Sequence, residues 1–362
     1  MSKLVNDAYL TLKPYIPGKP VSETERELGI SGCVKLASNE NPLGPSPKAV
    51  AAIQAALSSL HDYPDGGAFY LKKKLADFLK VEQDQLLFGN GTNELLEMII
   101  RTCMRPEDNI VYVQSSFIVY KLASMAIGAE IREVPLNEMR YDLPAVLDAM
   151  DEKTKLVFIA NPNNPTGTYI TKSELDDFLA KVPPQVLVVM DEAYFEYVDA
   201  EDYPDGLSYL KTHKNVLVTR TFSKCYGLAG LRIGYAIGDS EIIDYLNRGR
   251  QPFNVNTLAQ VGAMAALDDV DHLTRTKELN RSEMERVVPQ IEALGCVVTP
   301  SQANFVLVDF KREVGPVFDA MLRLGVIVRP MAGYGLATSA RVTMGTTEQN
   351  DKLLEVMAKV LG

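Results

Sequence analysis

Four apolar runs in this chain each break off into a polar motif, and that repetition narrows the fold more than any other feature. Leu156-Val157-Phe158-Ile159-Ala160 stops at Asn161-Pro162-Asn163-Asn164-Pro165-Thr166-Gly167, and Val186–Met190 stops at Asp191-Glu192-Ala193-Tyr194. Val216–Thr219 leads to Thr221-Phe222-Ser223-Lys224, and Gln85–Phe88 leads to Gly89-Asn90-Gly91-Thr92-Asn93-Glu94. Short runs of this composition read as strands buried on both faces. With a fifth at Ile110–Val113 they alternate with helical patterns, which predicts an α/β fold around a mostly parallel sheet. Ligands of such sheets bind beyond the carboxyl ends of the strands, where these motifs fall.

Each motif brings chemistry of its own. Lys224 follows a strand, has hydroxyls before it and has Arg232 eight residues on. An amine captures a carbonyl only when nearby charge or desolvation lowers its pKa, and hydroxyls with an arginine suit a phosphate. Two prolines and a glycine in the 161–167 motif force a turn and leave amide side chains at the strand end. A carboxylate at Asp191 needs a partner, and the protonated nitrogen of a pyridine ring would serve. Gly89-Asn90-Gly91 before the pattern Leu95–Ile100 offers backbone amides to an anion. Taken singly, these segments also fit a solvated lysine, a turn, a strand end and a helix lead-in. Together in one chain they describe a pyridoxal phosphate site.

Composition excludes other classes. A net charge of −10 argues against a nucleic-acid footprint, leaving small molecules and copies of the same chain as partners. His61, His213 and His272 show no metal-ligand spacing, so neither a metal nor a Ser-His-Asp apparatus is expected. Cys33, Cys103, Cys225 and Cys296 show no paired spacing and fit a reducing compartment. With no signal-peptide pattern and no apolar stretch of membrane-spanning length, a cytoplasmic protein with no membrane partner is expected. Strand-like Asn304–Val308, Val326–Arg329 and Arg341–Met344, a helical Val317–Leu324 and a final helix at Lys352–Val360 read as a smaller α+β domain. Thr171 and Glu174 mark a capping box before a helix.

The motifs NPNNPTG, DEAY and TFSKCYGLAGLRIGY, with LKPYIPGKP, KLASNENPLGPSP, VIVRP and ARVTMGT, resemble the histidinol-phosphate aminotransferase family, fold-type I pyridoxal-phosphate enzymes, over nearly all 362 residues. The resemblance implies transfer of an amino group from L-histidinol phosphate to 2-oxoglutarate, giving imidazole acetol phosphate and glutamate in histidine biosynthesis. It also implies a large cofactor-binding domain at 43–250, and a small domain made of residues 251–362 with the N-terminal arm 1–42. The enzyme would be a homodimer with shared active sites.

By the same resemblance, Lys224 carries the cofactor and shuttles a proton, Asp191 keeps the pyridine nitrogen protonated, and Tyr194 and Asn164 hydrogen-bond the ring's 3-oxygen. Phe117 stacks on the ring. The cofactor phosphate lies among Gly91, Thr92, Asn93, Thr221, Ser223 and Arg232, with Tyr63 reaching it from the neighbouring subunit. Arg341, Arg329, Tyr15 and Asn39 match substrate-binding positions, although Asn39 equally suits a capping or turn role. Two departures stand out. Gln114-Ser115-Ser116 replaces the usual approach to the aromatic, and Cys225 stands where alanine is common, making oxidation sensitivity an expectation. The same motifs leave open an aromatic amino-acid aminotransferase and, more remotely, a phosphothreonine decarboxylase or a non-catalytic pyridoxal phosphate sensor.

Overall fold

The computed structural model describes residues 4–10, 12, 14 and 18–362. In chain order its strands are β1 (Val34–Lys35), β2 (Leu86–Gly89), β3 (Asn109–Val113), β4 (Glu130–Val134), β5 (Thr154–Ala160), β6 (Leu187–Asp191), β7 (Val216–Thr221) and β8 (Gly234–Ile237). They are followed by β9 (Val297–Thr299), β10 (Phe305–Asp309), β11 (Val326–Ile327), β12 (Arg329–Pro330) and β13 (Ser339–Thr343).

Strands β2 to β8 form one sheet in the order β2-β8-β7-β6-β5-β3-β4. Strand β8 is antiparallel to β2 and β7, and every other neighbouring pair is parallel. The apolar runs are continuous because both faces are covered. Val157, Ile159, Val188, Met190 and Val218 enter one core, while Leu156, Phe158, Leu187, Val189 and Leu217 enter the other. Each such side chain contributes roughly 1.5–3 kcal/mol when fully buried. Helix Thr92–Cys103 buries Leu95, Leu96, Met98, Ile99 and Ile100 against the second core. The capping box is present: the Glu174 amide donates to Thr171 Oγ1 at 3.3 Å, and the Thr171 amide donates to Glu174 Oε2 at 2.6 Å.

Helix Thr257–Leu267 lies past the boundary expected at residue 250 and nevertheless packs on helix Pro47–Ala56, placing Ala259, Ala263 and Ala266 in the first large core. Packing therefore carries that core on to Leu267. Beyond it, β12-β13-β10-β9 form an antiparallel sheet covered by helices Val270–Ala293, Val314–Arg323 and Thr347–Leu361. Strand β1 pairs with β11, and Leu36 is buried in the same core, so residues 34–36 are structurally part of this C-terminal unit. The expected strand Val326–Arg329 is broken at Val328 into β11 and β12, which belong to different sheets. No helix among the described residues is long and apolar enough to cross a membrane.

Candidate active site

Strand register brings the four motifs together. Ala160 pairs with Asp191 and Asp191 with Thr219, so the loops after β5, β6 and β7 leave the sheet side by side. On the other flank Gly89 faces Gly234, which faces Thr221. A Cβ on Gly234 would stand 2.8 Å from the Thr92 amide nitrogen, and one on Gly89 would stand 2.7 Å from Leu95 Cγ. Glycine at both positions lets helix Thr92–Cys103 begin directly against the sheet.

One pocket results. Thr92, Asn93 and Arg232 line it with Thr221 and Ser223, while Phe117, Asn164, Tyr194, Asp191 and Lys224 close the rest. Gly91 precedes the first turn of the helix with φ +79°, and a Cβ there would come within 2.5 Å of Arg232 Nη2. The guanidinium thus lies against the helix N-terminus, where backbone amides and positive charge both favour an anion. Arg232 itself adopts φ +57° and donates from Nη1 to the Ala229 carbonyl at 3.0 Å.

Lys224 Nζ donates to the Ser38 carbonyl at 3.2 Å. Burial, joined by the Arg341 and Arg232 guanidiniums, brings its ammonium down to about 8, while Glu40 and Asp191 pull the other way. Asp191 is 5% exposed; its Oδ2 accepts from the Tyr120 hydroxyl at 2.7 Å and its Oδ1 from Thr219 Oγ1 at 3.3 Å. Burial raises its carboxyl above the ordinary range, against those hydroxyls and the Ala193 amide.

The C-terminal unit reaches in through Arg341. Its Nη1 donates to Asn164 Oδ1 at 2.6 Å and its Nη2 to the Ala37 carbonyl at 2.6 Å. Asn164 Nδ2 in turn donates to the Tyr194 hydroxyl at 3.1 Å, which also accepts from Asn39 Nδ2 at 2.8 Å. Asn39 is fully buried, and its Oδ1 accepts from Thr343 Oγ1 at 3.0 Å. Its side chain is thereby occupied on both ends by protein groups. Arg329 is the cross-strand partner of Arg341, which sets the two on the same face of the small sheet.

Tyr63 is not brought in. It is 83% exposed and stacks on Phe253 with centroids 4.8 Å apart, outside this chain's pocket. Tyr15 lies outside the described residues. Oxidation sensitivity at Cys225 is corrected: the residue is fully buried, and desolvation pushes its thiol up, away from the reactive thiolate.

Residues 31–357 match the family model described as aminotransferase class I and II. This chain belongs to the class I and II aminotransferases. Within them it belongs to the histidinol-phosphate aminotransferase family. It is 53% identical to histidinol-phosphate aminotransferase 2 of Pseudomonas aeruginosa, covering 97% of this chain and 95% of that protein. It is 48% identical to histidinol-phosphate aminotransferase of Moorella thermoacetica, covering 98% of this chain and 92% of that protein. Among solved structures, histidinol-phosphate aminotransferase from Sinorhizobium meliloti in complex with pyridoxal-5′-phosphate superposes with a TM-score of 0.91 at 26% identity, covering 99% of this chain and 97% of that one. The fold is that of the fold-type I aminotransferases.

The aminotransferase's own groups fit pyridoxal 5′-phosphate. An amine with a depressed pKa lies in the same pocket as a buried carboxylate that, among the described residues, forms no ion pair. A helix N-terminus with Arg232 against it supplies an anion cradle. Two residues at this centre escaped the sequence reading. Tyr120 stands in the first turn of the helix that Phe117 caps, and Thr219 two before Thr221, hence on the same face of β7; those spacings were the available signals.

Proposed function

We propose that this chain is a pyridoxal-5′-phosphate-dependent histidinol-phosphate transaminase that exchanges the amino group with 2-oxoglutarate, acting in histidine biosynthesis. The observation that carries the reading is the joining of two units at one pocket: Asp191 at the end of β6 and Lys224 just past β7, and Arg341 reaching from the small sheet to Asn164. The bound cofactor supplies an electron sink for the charge left when the substrate's α-carbon loses its proton.

The protein's residues do the rest. Lys224 would hold the cofactor and, when free, move the proton at the substrate's α-carbon; its low pKa keeps a neutral amine within reach near neutrality. Asp191 holds a proton on the pyridine nitrogen. Tyr194 and Asn164 would orient the ring oxygen, and Phe117 would offer its ring for stacking. Gly91, Thr92, Asn93, Thr221, Ser223 and Arg232 bind the phosphate. Arg341 and Arg329 offer donor forks that suit either a phosphate or a carboxylate, as the two half-reactions require.

The active unit in this reading is a homodimer with shared sites. Tyr63 is exposed, as are Leu57, Leu60, Phe69 and Tyr70 close to it in the chain, and these are large apolar side chains that a second copy would cover. The division into a unit at 43–250 and a unit of 1–42 with 251–362 belongs to the same reading, with helix Thr257–Leu267 packed on the larger. A cytoplasmic location fits the four free thiols.

The test is an anaerobic half-reaction without oxo acid, following cofactor absorbance with histidinol phosphate and, separately, with phenylalanine. Conversion by histidinol phosphate at much the lower concentration supports the proposal. Preference for phenylalanine would make the chain an aromatic aminotransferase, and absence of any cofactor signal would overturn the reading.

A further inference from the structure

Tyr120 projects from helix Ile118–Ala126 into the gap behind Asp191, and its surroundings fix it there. It is fully buried, its ring lies flat on Phe158 with centroids 4.6 Å apart and planes 9° apart, and Phe117 meets its edge at 5.9 Å. The hydroxyl donates to Asp191 Oδ2 at 2.7 Å. A ring packed in this way fixes where the hydroxyl oxygen sits, and the acceptor it meets is the Asp191 carboxylate.

We propose that Tyr120 is a positioning residue for the cofactor's ring: through its hydroxyl it fixes and stabilises the ionised Asp191 carboxylate, and through its ring it seats Phe117. The proposal rests on the cofactor placement argued above. Hydrogen bonding to the charged form of a carboxylate opposes the cost of burial. Without it, Asp191 becomes more basic and draws the shared proton away from the pyridine nitrogen. The electron sink weakens, and the positive charge that lowers the pKa of the Lys224–cofactor linkage is reduced. The other titratable groups bearing on Asp191 are Lys224 after β7, Tyr194 after β6 and Tyr141 before helix Leu143–Asp148. Thr219 on β7 donates to the second oxygen and does not titrate.

Y120F tests this, since it keeps the ring and deletes only the hydroxyl. The protein is reconstituted with pyridoxal 5′-phosphate, and the visible absorbance of the bound cofactor is titrated with pH for wild type and variant. The expected result is a higher titration midpoint in Y120F and an amino-donor half-reaction slowed about tenfold or more, the scale of one hydrogen bond to a buried charge. An unchanged midpoint with wild-type cofactor binding overturns the proposal. A midpoint shift that persists undiminished when Y120F is placed on a D191N background also overturns it, because the effect would then not pass through Asp191. Failure of wild type itself to bind the cofactor would instead fault the placement on which the proposal rests.

Discussion

Arg220 and Glu192 form a buried ion pair directly behind the active site: Arg220 Nε and Nη2 donate to Glu192 Oε2 at 2.9 and 2.7 Å, with the two side chains 3% and 0% exposed. Each is the sequence neighbour of a site residue, Glu192 of Asp191 and Arg220 of Thr221. Alternation along a strand sends Thr219 and Thr221 toward the pocket and Arg220 to the opposite face. The Gly206 amide caps Glu192 Oε1 at 2.8 Å, Asp205 takes a further bond from Arg220, and the guanidinium lies 3.4 Å over the Phe195 ring centroid. The pair therefore ties the ends of β6 and β7 together.

Removing one partner leaves the other charge buried, so R220M is expected to destabilise the fold by about 3–5 kcal/mol. Denaturant unfolding of the variant measures this. A loss below about 1 kcal/mol would mean that Glu192 takes up a proton or meets water when Arg220 is gone.

As the proposed cofactor-binding amine, Lys224 would react in its neutral form, and its ammonium is lowered to about 8. Capture of pyridoxal 5′-phosphate by the cofactor-free protein should therefore accelerate as pH rises and level off above a midpoint near 8. Arg341 is the largest charge holding that value down, so R341M should move the midpoint upward. Stopped-flow absorbance across pH 6.5 to 9.5, about 1.5 pH units to either side of the midpoint, reads both.

Arg341 grips Asn164 but lies outside the set of groups assigned to the cofactor phosphate. R341A is expected to raise KM for histidinol phosphate and glutamate at least tenfold, on the scale of a charge-assisted bond of about 1.5–3 kcal/mol, with cofactor still bound. Loss of the bound cofactor on desalting would refute that division of labour.

Tyr63 does not line its own chain's pocket, and in the proposed homodimer a second copy brings it to the phosphate. Inactive K224A protein mixed with weakly active Y63A protein should recover activity as hybrids form, because one site of each hybrid would join intact Lys224 to intact Tyr63. Sedimentation should give twice the 39.9 kDa chain mass. A mixture no more active than its parts would show the sites to be unshared.

Much of the fold was written in local pattern. Strands β3, β5, β6 and β7 are buried on both faces and so appear as unbroken apolar runs. Strand β4 escaped the sequence reading because it is an edge, half-exposed and carrying Glu130, Arg132 and Glu133 among its five residues. Strand β8 escaped because it opens on Gly234, a weak strand former placed there for the close approach of Thr92.

The sequence by itself determined the cofactor, because the amine of Lys224, the carboxylate of Asp191 and the helix lead-in at Gly89–Glu94 each sit in a contiguous motif at the end of an apolar run. Only the tertiary structure decided how those groups are held. Tyr120 meets Asp191 across 71 positions, Arg341 meets Asn164 across 177, and Thr343 meets Asn39 across 304. Such pairings depend on strand order and on the docking of the two sheets, where buried polar atoms take whichever partner the packing puts within reach. No local pattern in the chain encodes that choice.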